Sequence, residues 1–122
     1  MKIAIVLGTR PEIIKLAPII NKLNKNNSQV IFTGQHYDYE MSLRFIEQLG
    51  LRKPDYSLKI SHSDPLTQIG EIISKLPKIF KKIKPDTVIV QGDTNTVLAA
   101  ALTSLKSEIP VSHIEAGLRS FD

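Results

Sequence analysis

The sequence predicts a doubly wound parallel α/β sheet, and three observations predict it. Two continuous aliphatic runs, Lys2-Ile3-Ala4-Ile5-Val6-Leu7 and Thr87-Val88-Ile89-Val90-Gln91, have the composition of strands buried on both faces. Segments with apolar residues at helical spacing alternate with strand candidates along the whole chain, the signature of right-handed crossover connections. Glycine-bearing polar turns, Gly8-Thr9-Arg10, Gly34-Gln35-His36 and Gly92-Asp93-Thr94, each follow a strand candidate and precede a helix candidate.

Taken in order, residues 2–7 form the first strand. Thr9 then caps a helix over residues 11–25, with Pro11 in its first turn and Glu12 completing a capping box. Ile13, Leu16, Ala17, Ile20 and Leu23 share one face of that helix, and Pro18 should bend it. Asn26-Asn27-Ser28 is a turn, and residues 29–33 are the second strand. A helix over 39–49 ends at Gly50, a glycine suited to the left-handed cap. Residues 56–60 read as a weaker strand at an edge. Asp64-Pro65 starts the longest helix, with a stripe of Leu66, Ile69, Ile72, Ile73, Leu76, Ile79, Phe80 and Ile83 and a bend expected at Pro77. Pro85-Asp86 closes it, and residues 87–91 are the fourth strand. The helix over 95–106 is expected to bury Val97, Leu98, Ala101, Leu102 and Leu105, and residues 111–115 are the fifth strand. The expected strand order is 3-2-1-4-5, which opens a ligand crevice where strands one and four diverge at their carboxyl ends.

The totals bound the function. At 122 residues the chain is read as one domain, 1–122, burying roughly two-thirds of its unfolded surface. The net charge of +4 arises largely from lysines, with a cluster at Lys75, Lys78, Lys81, Lys82 and Lys84. That cluster reads as a solvated helix face complementing a C-terminal dipole. The one aromatic residue within it, Phe80, belongs to the apolar stripe of that helix and not to a stacking platform, so nucleic acid is not an expected partner. No cysteine is present, which excludes thiolate metal sites and suits a reducing compartment. The apolar run at the N-terminus is too short for a membrane span and leads straight into a polar turn. The expectation is a cytoplasmic protein without membrane contact.

Chemistry concentrates at the strand ends. The turn Gly8-Thr9-Arg10 joins a helix N-terminus to a cation, a place for an anion, with Lys15 about one turn further along. Gly8 suits either a tight turn or close approach of an anionic ligand. A dinucleotide fingerprint is excluded, because this turn has one glycine and the second strand ends in Thr33-Gly34-Gln35 with no acidic residue for a ribose. Asp93 follows a buried strand and suits either a helix cap or a catalytic carboxylate. Glu115 ends the fifth strand without a charge partner, a candidate acid or base, and His113 shares its side of that strand. No second histidine stands at ligand spacing, so no metal is assigned.

Four stretches in register, Gly8-Thr9-Arg10-Pro11-Glu12, Thr33-Gly34-Gln35-His36, Gln91-Gly92-Asp93-Thr94 and His113-Ile114-Glu115-Ala116-Gly117-Leu118-Arg119, resemble the non-hydrolysing UDP-N-acetylglucosamine 2-epimerase family over the whole chain. The resemblance implies a Rossmann-like N-terminal domain, half of a glycosyltransferase-B type fold. It implies reversible conversion of UDP-N-acetylglucosamine to UDP-N-acetylmannosamine through elimination and re-addition of UDP, with no cofactor and no metal. It further implies that Arg10 and Lys15 bind the diphosphate, that Gly8, Thr9, His113 and Arg119 belong to the substrate site, and that Asp93 and Glu115 are the acid/base carboxylates. Gln35 and His36 match a region that in bacterial members contacts a regulatory substrate molecule. In the family a further carboxylate and a second, uridine-binding domain follow, so the expectation is an N-terminal domain inactive alone, homodimeric in full-length form. A glycosyltransferase of the same architecture, or a non-catalytic nucleotide-sugar binding module, are the alternatives.

Overall fold

The computed structural model describes residues 1–35, 39–61, 64–92 and 94–114. Five parallel strands, β1 (Ile3–Leu7), β2 (Ser28–Phe32), β3 (Tyr56–Ser57), β4 (Thr87–Gln91) and β5 (Val111–Ile114), form one sheet in the order β3-β2-β1-β4-β5. The order matches the sequence expectation. Four helices connect them: α1 (Arg10–Lys22), α2 (Tyr39–Gln48), α3 (Pro65–Ile83) and α4 (Asn95–Lys106).

Alternation along β1 shows why the sheet is doubly wound. Ile5 and Leu7 join Ile13, Leu16, Ile20 and Ile46 in a core under α1 and α2. Ala4 and Val6 face the other way, into a core with Ile72, Leu76, Phe80, Ala99 and Ala100 under α3 and α4. Both faces of β1 are therefore dry, as its unbroken aliphatic composition requires.

Several boundaries move for local reasons. Helix α1 ends at Lys22, not Lys25, because Leu23 turns extended and the Asn24 side chain accepts from the Asn26 amide at 2.8 Å, organising a turn instead of another helical residue. Strand β3 is shorter than expected: Lys59 adopts a left-handed φ of 56°, and pairing resumes only as an isolated bridge between Gln35 and Ile60. Gly50 takes the left-handed conformation with φ 72°, as expected of a cap. Helices α1 and α3 run on through Pro18 and Pro77.

Helix α4 corrects the sequence reading. It buries Thr96, Ala99, Ala100, Thr103 and Ser104, while Leu98, Leu102 and Leu105 are 57%, 39% and 69% exposed. Two of the buried hydroxyls are satisfied within the helix, Thr103 Oγ1 donating to the Ala99 carbonyl at 2.8 Å and Ser104 Oγ to that of Ala100 at 2.7 Å. Small residues let α4 lie close to the bulky Leu76 and Phe80 side of α3 and to the sheet. Leu66, counted in the α3 stripe, is likewise 80% exposed.

Candidate functional site

Strands β1 and β4 pair in register from Ile3 with Thr87 to Ile5 with Ile89, then diverge into the turns that start α1 and α4. Their carboxyl ends form the topological switch point of the sheet. A cavity of about 200 Å³ opens there, lined among others by Gly8, Thr9, Gly34, Gln35, Thr94 and Thr96. A neighbouring cavity of about 300 Å³ shares Gly8 and Thr9 with it and adds Arg10, Met41 and Ser42. Either volume is at or below the roughly 300–1,000 Å³ of a complete small-molecule pocket.

The walls are set by close backbone packing. A Cβ on Gly8 would lie 2.6 Å from Thr33 Oγ1 and 2.7 Å from Thr96 Oγ1, and a Cβ on Gly34 would lie 2.7 Å from the Gly8 carbonyl oxygen. The two threonines hydrogen-bond each other at 2.8 Å, and Thr33 Oγ1 also donates to the Leu7 carbonyl at 3.2 Å. Gly8 is therefore needed for the meeting of β1, β2 and α4, independently of any ligand.

The start of α1 carries the expected capping box. Thr9 Oγ1 accepts from the Glu12 amide at 3.4 Å, and Glu12 Oε1 accepts from the amides of Gly8 at 2.7 Å and Thr9 at 3.1 Å. This alters the anion reading: the amides of Gly8, Thr9 and Glu12 are engaged inside the protein, and Pro11 has no N–H to offer. The cation of this turn is the Arg10 side chain. Its exposed guanidinium lies 5.8 Å from the centroid of the Phe45 ring on α2. Lys15 is exposed on α1, and the two cavities that Arg10 lines do not include it.

Glu12 is 1% exposed, and its second carboxylate oxygen, Oε2, accepts from the hydroxyl of Thr94 in the turn after β4. Sequence reasoning read Glu12 as a cap alone, since no local pattern reveals a partner 82 residues away. Phe45 was also missed; its helical spacing signals only a core residue. His113, on the exposed part of β5, reaches the same turn: its Nε2 meets the Gly92 carbonyl. Gln35 lines the 200 Å³ cavity alongside Gly8. Asp93, Glu115, His36 and Arg119 lie outside the described residues. Among the described residues no group of three His, Asp or Glu side chains is placed to hold a metal, and no helix is long and apolar enough to cross a membrane.

Comparison with known proteins gives one answer. The UDP-N-acetylglucosamine 2-epimerase family model matches residues 20–122. A UDP-N-acetylglucosamine 2-epimerase of Methanococcus maripaludis is 52% identical over 99% of this chain and 33% of its own length. A UDP-2,3-diacetamido-2,3-dideoxy-D-glucuronate 2-epimerase of Pseudomonas aeruginosa is 41% identical over all of this chain and 35% of its own. The crystal structure of Methanocaldococcus jannaschii UDP-GlcNAc 2-epimerase in complex with UDP-GlcNAc and UDP superposes with a TM-score of 0.87 at 51% identity, covering 100% of this chain and 34% of that one. The chain spans about a third of the length of the relatives it matches.

Proposed function

The chain belongs to the UDP-N-acetylglucosamine 2-epimerase family, and from that premise we propose that it supplies one wall of the active site of an enzyme that epimerises a UDP-2-acetamido sugar at C2. The observation that carries the reading is the convergence of Gly8, Thr9 and Thr94 on one cavity at the β1/β4 switch point, with Arg10 at the adjoining rim. A second domain closes the other side and completes the uridine pocket.

The substrate is UDP-N-acetylglucosamine and the product UDP-N-acetylmannosamine. A carboxylate removes the C2 proton; the electron pair of that C–H bond forms the C1–C2 double bond as the C1–O bond to UDP breaks. The resulting 2-acetamidoglucal is held in the closed crevice. Reprotonation at C2 from the opposite face and return of UDP to C1 give the epimer. Arg10 holds the diphosphate throughout, as the cation at this turn, with Lys15 in support. Asp93 and Glu115 serve as the acid/base pair, His113 and Arg119 complete the substrate contacts, and Gln35 and His36 belong to a regulatory contact. The reaction requires no cofactor and no metal. The enzyme is a cytoplasmic homodimer in polysaccharide-precursor synthesis, free of membrane and nucleic acid. The 122-residue chain alone does not turn over.

The P. aeruginosa relative marks the second reading, the same chemistry on a UDP-diacetamido-glucuronate. Product analysis with each sugar nucleotide decides between them. Transfer of the sugar to an acceptor, without the 2-epimer appearing, would instead identify a glycosyltransferase.

A further inference from the structure

The Glu12 carboxylate does more than a cap needs. Its Oε1 alone satisfies the capping box, taking the amides of Gly8 and Thr9. Its Oε2 has no part in that motif, yet it takes the hydroxyl of Thr94, at the head of another helix. Thr94 is the N-cap residue of α4, with the extended backbone such a residue adopts (φ −77°, ψ 176°), but its side chain makes no capping bond. A threonine here normally accepts from an amide of its own helix. This one forgoes that role to reach across to α1. Glu12 is meanwhile buried to 1% exposure, where a carboxylate is tolerated only with its oxygens hydrogen-bonded. The three donors come from both walls of the crevice.

We propose that Glu12 is a positioning residue, which ties the β4–α4 turn to the β1–α1 turn through Thr94. The inference rests on the nucleotide-sugar reading above, in which Arg10 sits two residues before Glu12 and Asp93 immediately precedes Thr94 in the chain. The link sets the spacing between the turn that anchors the diphosphate and the turn that carries an acid/base group. Small errors in such a spacing are costly to the chemical step and cheap to binding.

The test is kinetic and uses the two-domain enzyme. Thr94→Val leaves the capping box of α1 untouched and removes only the hydroxyl that Glu12 accepts. It is expected to lower kcat about tenfold or more with KM within about twofold, and Thr94→Ser is expected to restore kcat. Glu12→Ala removes the same link together with the capping box, so adding Thr94→Val to it is expected to slow it no further. Wild-type kcat in Thr94→Val, or multiplied losses in the double variant, would overturn the proposal. Asp93→Asn is the control for the parent reading: full turnover in that variant removes the reading itself, whereas a dead Asp93→Asn beside an unaffected Thr94→Val removes only the positioning role.

Discussion

The guanidinium of Arg10 lies over the ring of Phe45, 5.8 Å from its centroid, so the cation proposed for the diphosphate is braced by a side chain from the next helix. An exposed cation–π contact of this kind is worth roughly 0.5–1 kcal/mol. Phe45→Leu keeps the apolar packing and removes the ring face. Titration calorimetry with UDP on the full-length protein is expected to show affinity lower by about two- to fivefold, against a loss of about tenfold or more for Arg10→Ala. Unchanged affinity in Phe45→Leu would mean that the stack does not organise the anion site.

Gly34 and Gly70 stand at opposite extremes of crowding. A Cβ on Gly34 would meet the Phe32 ring at 2.4 Å and the Gly8 carbonyl at 2.7 Å, whereas a Cβ on Gly70, inside α3, would meet nothing within 4 Å. Gly34→Ala is expected to destabilise the fold by about 2 kcal/mol or more through overpacking at the strand ends. Gly70→Ala is expected to stabilise it by up to about 1 kcal/mol, by removing a flexible residue from an exposed helix interior. Urea denaturation of the pair checks both signs; equal shifts would refute the packing described at Gly34.

The exposed Asp64 and the half-buried Glu71 bind more strongly to their neighbours when ionised. The Asp64 carboxyl is held below the usual range chiefly by the Thr67 amide, which it accepts at 2.9 Å, and then by the Thr67 hydroxyl. The Glu71 carboxyl is lowered chiefly by the Ser61 hydroxyl and amide, with Lys75 adding a smaller effect. A depressed folded-state pKa gives stabilisation that is complete above the unfolded value, near 4, and lost as pH falls through the folded one. The thermal midpoint is therefore expected to fall below about pH 4, and less steeply in Asp64→Asn/Glu71→Gln than in the parent. Parallel curves for the two proteins would show that these contacts carry no pH-dependent stability.

The sheet order was legible in the sequence because β1 and β4 are aliphatic on both faces and each glycine turn marks a carboxyl end. The face of α4 was not. Periodicity assigned Leu98, Leu102 and Leu105 to the core, and they are exposed, because Thr103 and Ser104 bury hydroxyls that bond to their own helix. Hydrophobicity ranks such residues as polar, although within a helix they act as small, self-satisfied packing groups. At the site, the capping box of Thr9 and Glu12 was readable as a local pattern. The bridge from Glu12 to Thr94 and the stack of Phe45 under Arg10 were not, since each joins residues distant in the chain.

Deuterium exchange at C2 tests the central claim most directly. With UDP-N-acetylglucosamine in deuterated buffer, the full-length protein is expected to place deuterium at C2 of both the substrate and its epimer, and to stop doing so in Asp93→Asn and in Glu115→Gln. Exchange at the wild-type rate in both variants, or release of UDP with no deuterium at C2, would contradict it.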